Sequence, residues 1–301
     1  MIPCVYSQEK WVIYFCFNLD KMIENWCVIR ILTACELHVI LEKSRGFNRM
    51  DNYNQYLGQL RMNSLSYGKE YNEIYYVLKN CVEEYPTDIA PDLLNEIIFA
   101  ILEDFPEIFW FEVKWKIGLN AEQKRYFIPV YNIDRRNVEH AKAQISLIIK
   151  SFDDRLKNSN KGDIAKVLYQ WISQNIEYGV ATGNGQNIYD ALIEKKAVCK
   201  GIAKTYQFML RKYGIFSTLA YGTIDGVGRH VWNVINIDDK FYNVDICMEY
   251  PQIERLWNQG TRNSYRGFLL SDRQLEMSHA WEENYPYRIK CDNEVEDNGF
   301  I

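Results

Sequence analysis

Three things are missing from this sequence, and each absence closes off a class of function. There is no long basic run, and 40 acidic against 35 basic residues leave a net charge of −5 over 301 residues. A broad phosphate-binding surface is therefore disfavoured, and no nucleic-acid partner is expected. The eight cysteines (Cys4, Cys16, Cys27, Cys35, Cys81, Cys199, Cys247 and Cys291) form no CxxC pairs, and histidine is confined to His38, His140, His230 and His279. That spacing argues against zinc, no acidic calcium-loop pattern occurs, and no metal is expected. A chain this long can fill an ordinary core without a disulfide scaffold, so a reducing, cytoplasmic compartment is expected. Long apolar runs are absent too. The stretch from Cys27 to Leu41 is broken by Arg30, Glu36 and His38, and residues 1–10 lack a basic segment leading into an apolar one. Neither a membrane span nor a secretion signal is expected.

What is present is a core. Hydrophobic residues make up 48% of the chain and aromatics 15%, which excludes disorder. Residues 1–105 read mostly as helices, with Leu93, Leu94, Ile97, Ile98, Ile101 and Leu102 on a stripe that Pro106 ends. The period then changes to two. Phe111, Val113, Trp115 and Ile117 alternate with Glu112, Lys114 and Lys116, and Tyr126, Ile128 and Val130 continue the alternation. A hairpin is expected over 109–130, with Pro129 placing its second strand at an edge.

From Val138 to Leu156 the spacing predicts one long amphipathic helix, and Asp163 is the expected N-cap of the next. That helix carries Ile164, Val167, Leu168, Trp171, Ile172 and Ile176 on one face. A further apolar helical pattern starts at Cys199 and ends at Gly214, a C′ residue. Strands are expected at about 215–223, 230–237 and 241–247. The fold class is α+β: helices, then an antiparallel sheet packed against the helix that Cys199 opens.

Chemistry enters through three residues. Cys199 stands at a helix start, His230 opens the strand His230-Val231-Trp232-Asn233-Val234-Ile235, and Asp245 closes Phe241-Tyr242-Asn243-Val244-Asp245. A helix start offers unpaired N–H groups and the positive end of the dipole, which favour a thiolate and can hold an oxyanion. Thiol, imidazole and carboxylate are the parts of a nucleophile, its base and the group that orients the base. Ile237-Asp238-Asp239-Lys240 reads as a two-residue turn. If Ile237 pairs with Lys240, Trp232 faces Asp245 and His230 lies one diagonal step away on the same sheet face. Cys247 would then sit two residues beyond Asp245 on that strand face, near the site.

These segments resemble a known family. The stretch from Tyr189 through Ala197-Val198-Cys199-Lys200-Gly201 to Ala203 is similar to the nucleophile segment of the bacterial transglutaminase-like superfamily. His230-Val231-Trp232-Asn233 and Tyr242-Asn243-Val244-Asp245 look like its histidine and aspartate segments, and Trp171-Ile172-Ser173-Gln174-Asn175-Ile176-Glu177-Tyr178 like the helix before that core. The resemblance covers roughly residues 160–250 and weakens toward 291. It implies a papain-like core and chemistry through a thioester, with Cys199 the nucleophile, His230 the base and then acid, and Asp245 the orienting carboxylate. It implies no cofactor. Lys200 and Asp239 depart from the usual pattern, the first beside the nucleophile and the second where a turn glycine is common. No side-chain oxyanion donor carries over, which leaves Gln186 and Trp232 as substrate-binding candidates. Trp232 and Asn233 also have a plainer reading, as packing residues.

The expected activity is hydrolysis of peptide or glutamine carboxamide bonds, as in a cysteine protease, peptidase or deamidase. Transamidation and a catalytically silent peptide-binding module are the alternatives. Residues 136–301 would form the catalytic domain, with protein or peptide as substrate. Residues 1–135 would form a helical region plus hairpin, where Tyr53, Tyr56, Tyr67, Tyr71, Tyr75 and Tyr76 offer either a partner surface or ordinary packing. The segment 265–288, with Tyr265, Phe268, His279 and Trp281, would border the cleft.

Overall fold

The computed structural model describes residues 68–133, 135–254, 265–282 and 288–294, and the helices expected before residue 68 lie outside them. The site is built on a four-stranded antiparallel sheet. Its outer strand β8 (Lys240–Val244) pairs with β7 (Gly228–Ile237), β7 with β6 (Ser217–Ile224), and β6 with β9 (His279–Trp281). Asp238 and Asp239 both adopt positive φ, 50° and 64°, the conformation that a two-residue turn of matching twist demands. Ile237 consequently pairs with Lys240 and Asn233 with Val244. The alternation expected from sequence is therefore in phase. Odd-numbered β7 residues face a helix, with Val231 packed against Ala203 and the Asn233 amide donating to the Ala203 carbonyl at 3.0 Å. Trp232 and Val234 face the other way, into a cluster with Ala220, Leu275 and Cys291.

That helix is α7 (Cys199–Lys212), preceded by α5 (Lys161–Asn175) and the short α6 (Ile188–Leu192). Every residue of α7 from Gly201 to Leu210 is buried. Tyr206, Met209 and Leu210 are completely enclosed, each contributing about 1.5–3 kcal/mol of burial. The Tyr206 hydroxyl donates to the Ala165 carbonyl of α5 at 3.0 Å. Gly214, at φ 71°, ends the helix where expected. At its start, β4 (Glu177–Tyr178) runs parallel to β5 (Lys196–Ala197), and the Val198 N–H donates to the Gly185 carbonyl at 3.0 Å. Gly201 lies against the same carbonyl so closely that a Cβ would come within 2.2 Å of its oxygen.

Before this core come α1 (Gly68–Lys79), β1 (Tyr85–Pro86), α2 (Pro91–Asp104), the hairpin β2 (Phe111–Leu119) and β3 (Arg125–Tyr131), α3 (Arg135–Lys150) and α4 (Asp153–Leu156). The last carbonyls of α2 have no partner within their own helix. They are met by α7: Gln207 donates to the Glu103 carbonyl at 3.1 Å and Arg211 to that of Asp104. Tyr71 and Tyr75 pack against the main core while Tyr76 is exposed.

Five local expectations are corrected. The run from Val138 to Leu156 is two helices, α3 and α4, because the chain turns at Ser151 and Phe152. The N-cap of α5 is Asn160, whose side chain accepts from the Asp163 N–H at 2.8 Å; Asp163 is already inside the first turn. Val113 is not half-buried, since a bulge between Phe111 and Lys114 gives it φ 63° and turns it to solvent. Strand β3 is central rather than an edge, yet β1 covers only Tyr126 and Phe127, so no third strand runs beside Pro129. Finally, the strand ends at Val244, and Cys247 belongs to a 3-10 turn, Ile246–Glu249.

Alanine in an open helix gains about 1 kcal/mol over glycine. At Gly201 the sign should reverse: Gly201→Ala should lower unfolding free energy by about 1–3 kcal/mol in urea denaturation, because the added methyl displaces the Gly185 loop. A stabilised variant would mean that this loop is not seated on α7.

Candidate active site

Cys199 is the first residue of α7, half-buried, where the helix presents N–H groups without partners in its own backbone. The Tyr178 hydroxyl, delivered by β4, takes a hydrogen bond from the Cys199 backbone. Burial first, then the neighbouring Cys247, Cys199 and Asp245, push the Tyr178 phenol well above its ordinary range, with that hydrogen bond opposing.

His230 comes from β7 and is closed off from solvent. Its Nε2 lies 2.9 Å from Asp245 Oδ2. Its Nδ1 makes no hydrogen bond elsewhere, and the Cys199 thiol beside the ring acts on its charge. Burial by itself would push the His230 pKa down. The Asp245 carboxylate outweighs it, and with a smaller contribution from Cys199 raises the pKa from 6.5 to about 10. The carboxylate thus favours the charged form of the ring.

Asp245 sits one residue past β8 and caps the 3-10 turn. Its Oδ1 accepts from the Cys247 N–H at 2.9 Å, and its own N–H donates to the Gly267 carbonyl at 2.7 Å. Burial would raise its pKa, but His230 and then His279 hold the carboxyl far below the usual carboxylate range. His279, on β9, places Nε2 3.1 Å from the same Oδ2 that His230 uses, and its Nδ1 lies 2.8 Å from Ser278 Oγ. The His230 and His279 rings meet edge to face at 5.6 Å between centroids.

The structure thus brings together three of the residues singled out from sequence, Cys199, His230 and Asp245. Trp232 is 1% exposed, with its indole N–H committed to Asn243 Oδ1 at 3.0 Å, so it faces the core. Gln186 is exposed in the loop after β4, and its backbone N–H donates to the Asn184 side chain at 2.9 Å. Lys200 turns from the thiol, with Nζ 3.4 Å from Glu103 Oε1 and over the rings of Phe99 and Tyr221. Cys247 reaches the site through its backbone; its buried thiol is pushed well above the ordinary range, by burial first and then by Asp245. His279, from the segment expected to border the cleft, does reach it, on Asp245; neither it nor Tyr178, the last residue of the Trp171–Tyr178 segment, carries a chemical role in the sequence motifs. The signal for the former, His279-Ala280-Trp281, is an alternation too short to read as a strand.

Among the described residues, His230, Asp245 and His279 are the acidic and imidazole groups that gather most closely, within 4.8 Å. All three side chains are 0–1% exposed, and their contacts have hydrogen-bond lengths. Those lengths are the ones at which an imidazole N–H donates to a carboxylate. No helix among the described residues is long and apolar enough to cross a membrane.

No curated protein matches the chain. Among solved structures, the chain is similar to one described as a TGase, at 14% identity and TM-score 0.35, over 60% of this chain and 52% of that one. It is also similar to a protein from Cytophaga hutchinsonii provisionally assigned as a cysteine protease, at 12% identity and TM-score 0.31, over 46% of this chain and 63% of that one. The chain thus spans between half and two thirds of these proteins, and likenesses this low transfer no activity. The family model described as the transglutaminase-like superfamily matches residues 150–246, the stretch that runs from the end of α3 through Cys199, His230 and Asp245. Over that stretch the chain carries a transglutaminase-like core.

Proposed function

We propose that this protein is a thiol hydrolase acting on peptide or glutamine carboxamide bonds of proteins and peptides. Cys199 is the nucleophile, His230 the acid and base, and Asp245 the orienting carboxylate. The observation that carries the reading is the use of the two His230 nitrogens. Nε2 is fixed on Asp245 at 2.9 Å, and Nδ1, without a partner, is left for the thiol at the head of α7.

The chemistry follows from that arrangement. The Cys199 sulfur attacks the carbonyl carbon, and the oxyanion forms against the N–H groups at the start of α7. As the C–N bond breaks, His230 gives the Nδ1 proton to the leaving nitrogen, which departs as ammonia or an amine. The resulting thioester is attacked by water. His230 removes the water proton as the C–O bond forms, and the S–C bond breaks to return the thiolate. Asp245 keeps the ring oriented and stabilises the imidazolium throughout. Hydrolysis needs only solvent at the thioester, whereas transamidation needs an apolar route that holds water off. Trp232, the large apolar side chain nearest His230 in sequence, is turned into the core. That favours water as the acceptor.

A glutamine-containing protein pool tests the reaction. Incubation with the full chain should release new termini or deamidated glutamine, with at least a thousandfold loss for Cys199→Ala, given the usual contribution of a covalent nucleophile. Biotinylated primary amine should enter the products sparsely. Abundant Cys199-dependent amine incorporation without cleavage would make the enzyme a crosslinker, and no Cys199-dependent product at all would leave a binding module.

The ion pair also has a stability signature. A raised His230 pKa stabilises the fold fully below the ordinary 6.5, and the contribution is lost as pH climbs from there through about 10. Asp245, held low, contributes above its ordinary 3.8 and loses that contribution only as pH falls below it. Wild type should therefore lead His230→Gln in urea midpoint near neutrality, and the lead should shrink steadily toward about pH 10. A lead that stays constant across this window would mean that His230 is not charged in the fold.

A further inference from the structure

The carboxylate of Asp245 has more than one imidazole on it. His279 Nε2 approaches the same Oδ2 as His230, at 3.1 Å against 2.9 Å, and Ser278 Oγ lies 2.8 Å from His279 Nδ1. An ionised carboxylate only accepts hydrogen bonds, so each Nε2 must carry its proton toward Asp245. Whichever way the proton lies between Ser278 and Nδ1, His279 remains a donor to that oxygen. All three of these side chains are closed to solvent, so water cannot supply a missing donor.

We propose that His279 is a positioning residue for the Cys199 reaction: it fixes the Asp245 carboxylate, ionised and directed at His230, from the far side. This inference rests on the thiol-enzyme reading above. It also extends the working site beyond the family match, which ends at residue 246. The added part is β9, which pairs with β6 through Gly222–Trp281 and Ile224–His279. Gly222 is pressed against this strand so closely that a Cβ would come within 2.1 Å of the Ala280 carbonyl. Trp232 and Trp281 pack at 4.9 Å, with Trp232 against the His279 ring at 5.3 Å, which holds the imidazole in place. A buried histidine with no task would need a partner, but any backbone carbonyl would serve. Here the partner is the oxygen that orients the base.

The groups around Asp245 are few. His230 and His279 come from β7 and β9, and Cys247 and Tyr250 follow in the chain. Tyr169 comes from α5, Tyr178 from β4 and Cys199 from α7. The tyrosine hydroxyls are all pushed up by burial, with Asp245 adding to each. The two imidazoles are the rings whose Nε2 atoms meet Oδ2 of the carboxylate.

The test is the pH profile of Cys199 alkylation by iodoacetamide, read by peptide mass mapping on the full chain, with circular dichroism as the fold control. His279→Leu removes the donor and should move the acid limb up by about one pH unit, a roughly tenfold slower reaction at a fixed acidic pH. His279→Gln restores an N–H and should recover most of the shift. An acid limb unchanged in folded His279→Leu overturns the proposal, as does a Gln variant no better than Leu. Should His279→Leu fail to fold, His279→Met takes its place: it too lacks the N–H, the limb should shift in the same direction, and an unmoved limb overturns the inference. His230→Ala separates the two claims. If it leaves the profile unchanged, the Cys–His reading itself fails; if it moves the limb and His279→Leu does not, only the role of His279 falls.

Discussion

A carboxylate sealed from water must be surrounded by donors or it will not stay charged. Asp245 is so sealed, and the site is arranged around satisfying it. Two imidazole N–H groups meet Oδ2 and the Cys247 N–H meets Oδ1. Each donor imposes a condition on the fold. The first requires β7 and β8 in one particular register, the second requires β9 at the opposite edge of the sheet, and the third requires the chain to leave β8 at once in a tight turn. Gly267 completes the set by passing so near that a Cβ would lie 1.8 Å from the Asp245 carbonyl oxygen. The segment just before β9 is thus as much part of this environment as the sheet.

The thiol is placed by a different set of constraints. Cys199 is fixed by α7, and α7 is held along almost its whole length by buried contacts. Its start is pinned by β5 and by the Gly185 carbonyl on Val198, its middle by Asn233 and Tyr206, and its end by the carbonyls of α2. Helix α2 also supplies Glu103 to Lys200, so the positive charge next to the proposed nucleophile is partnered away from it. Described residues preceding the family match therefore act on the helix that carries the thiol.

The register of the β7–β8 hairpin was legible because its turn was. Two aspartates between Ile237 and Lys240 tolerate the left-handed conformation well enough to close a two-residue loop, and the period of two then assigns every face, His230 and Asp245 included. Where the local signal is ambiguous, the period alone does not place the residue. An apolar stripe from Val138 to Leu156 does not show a break at Ser151, since both helices bury the same face. Val113 alternates correctly on paper, but one bulge residue shifts it to solvent. Cys247 looked like a strand residue because nothing in its side chain announces a turn; the turn is stabilised by Asp245, two residues earlier.

The sequence by itself determined the types and the order of the three motif residues, the helix that opens at Cys199 and the hairpin that aligns His230 with Asp245, because each rests on contacts between residues near in the chain. The tertiary structure alone decided three other things. Trp232 points into the core, Lys200 is drawn to Glu103, and His279 returns from 34 residues beyond Asp245 to share its carboxylate. The physical reason is common to all three. A buried charge or a large ring is satisfied by whatever the fold brings within about 3–4 Å, and for partners far apart in the chain no local period encodes that meeting.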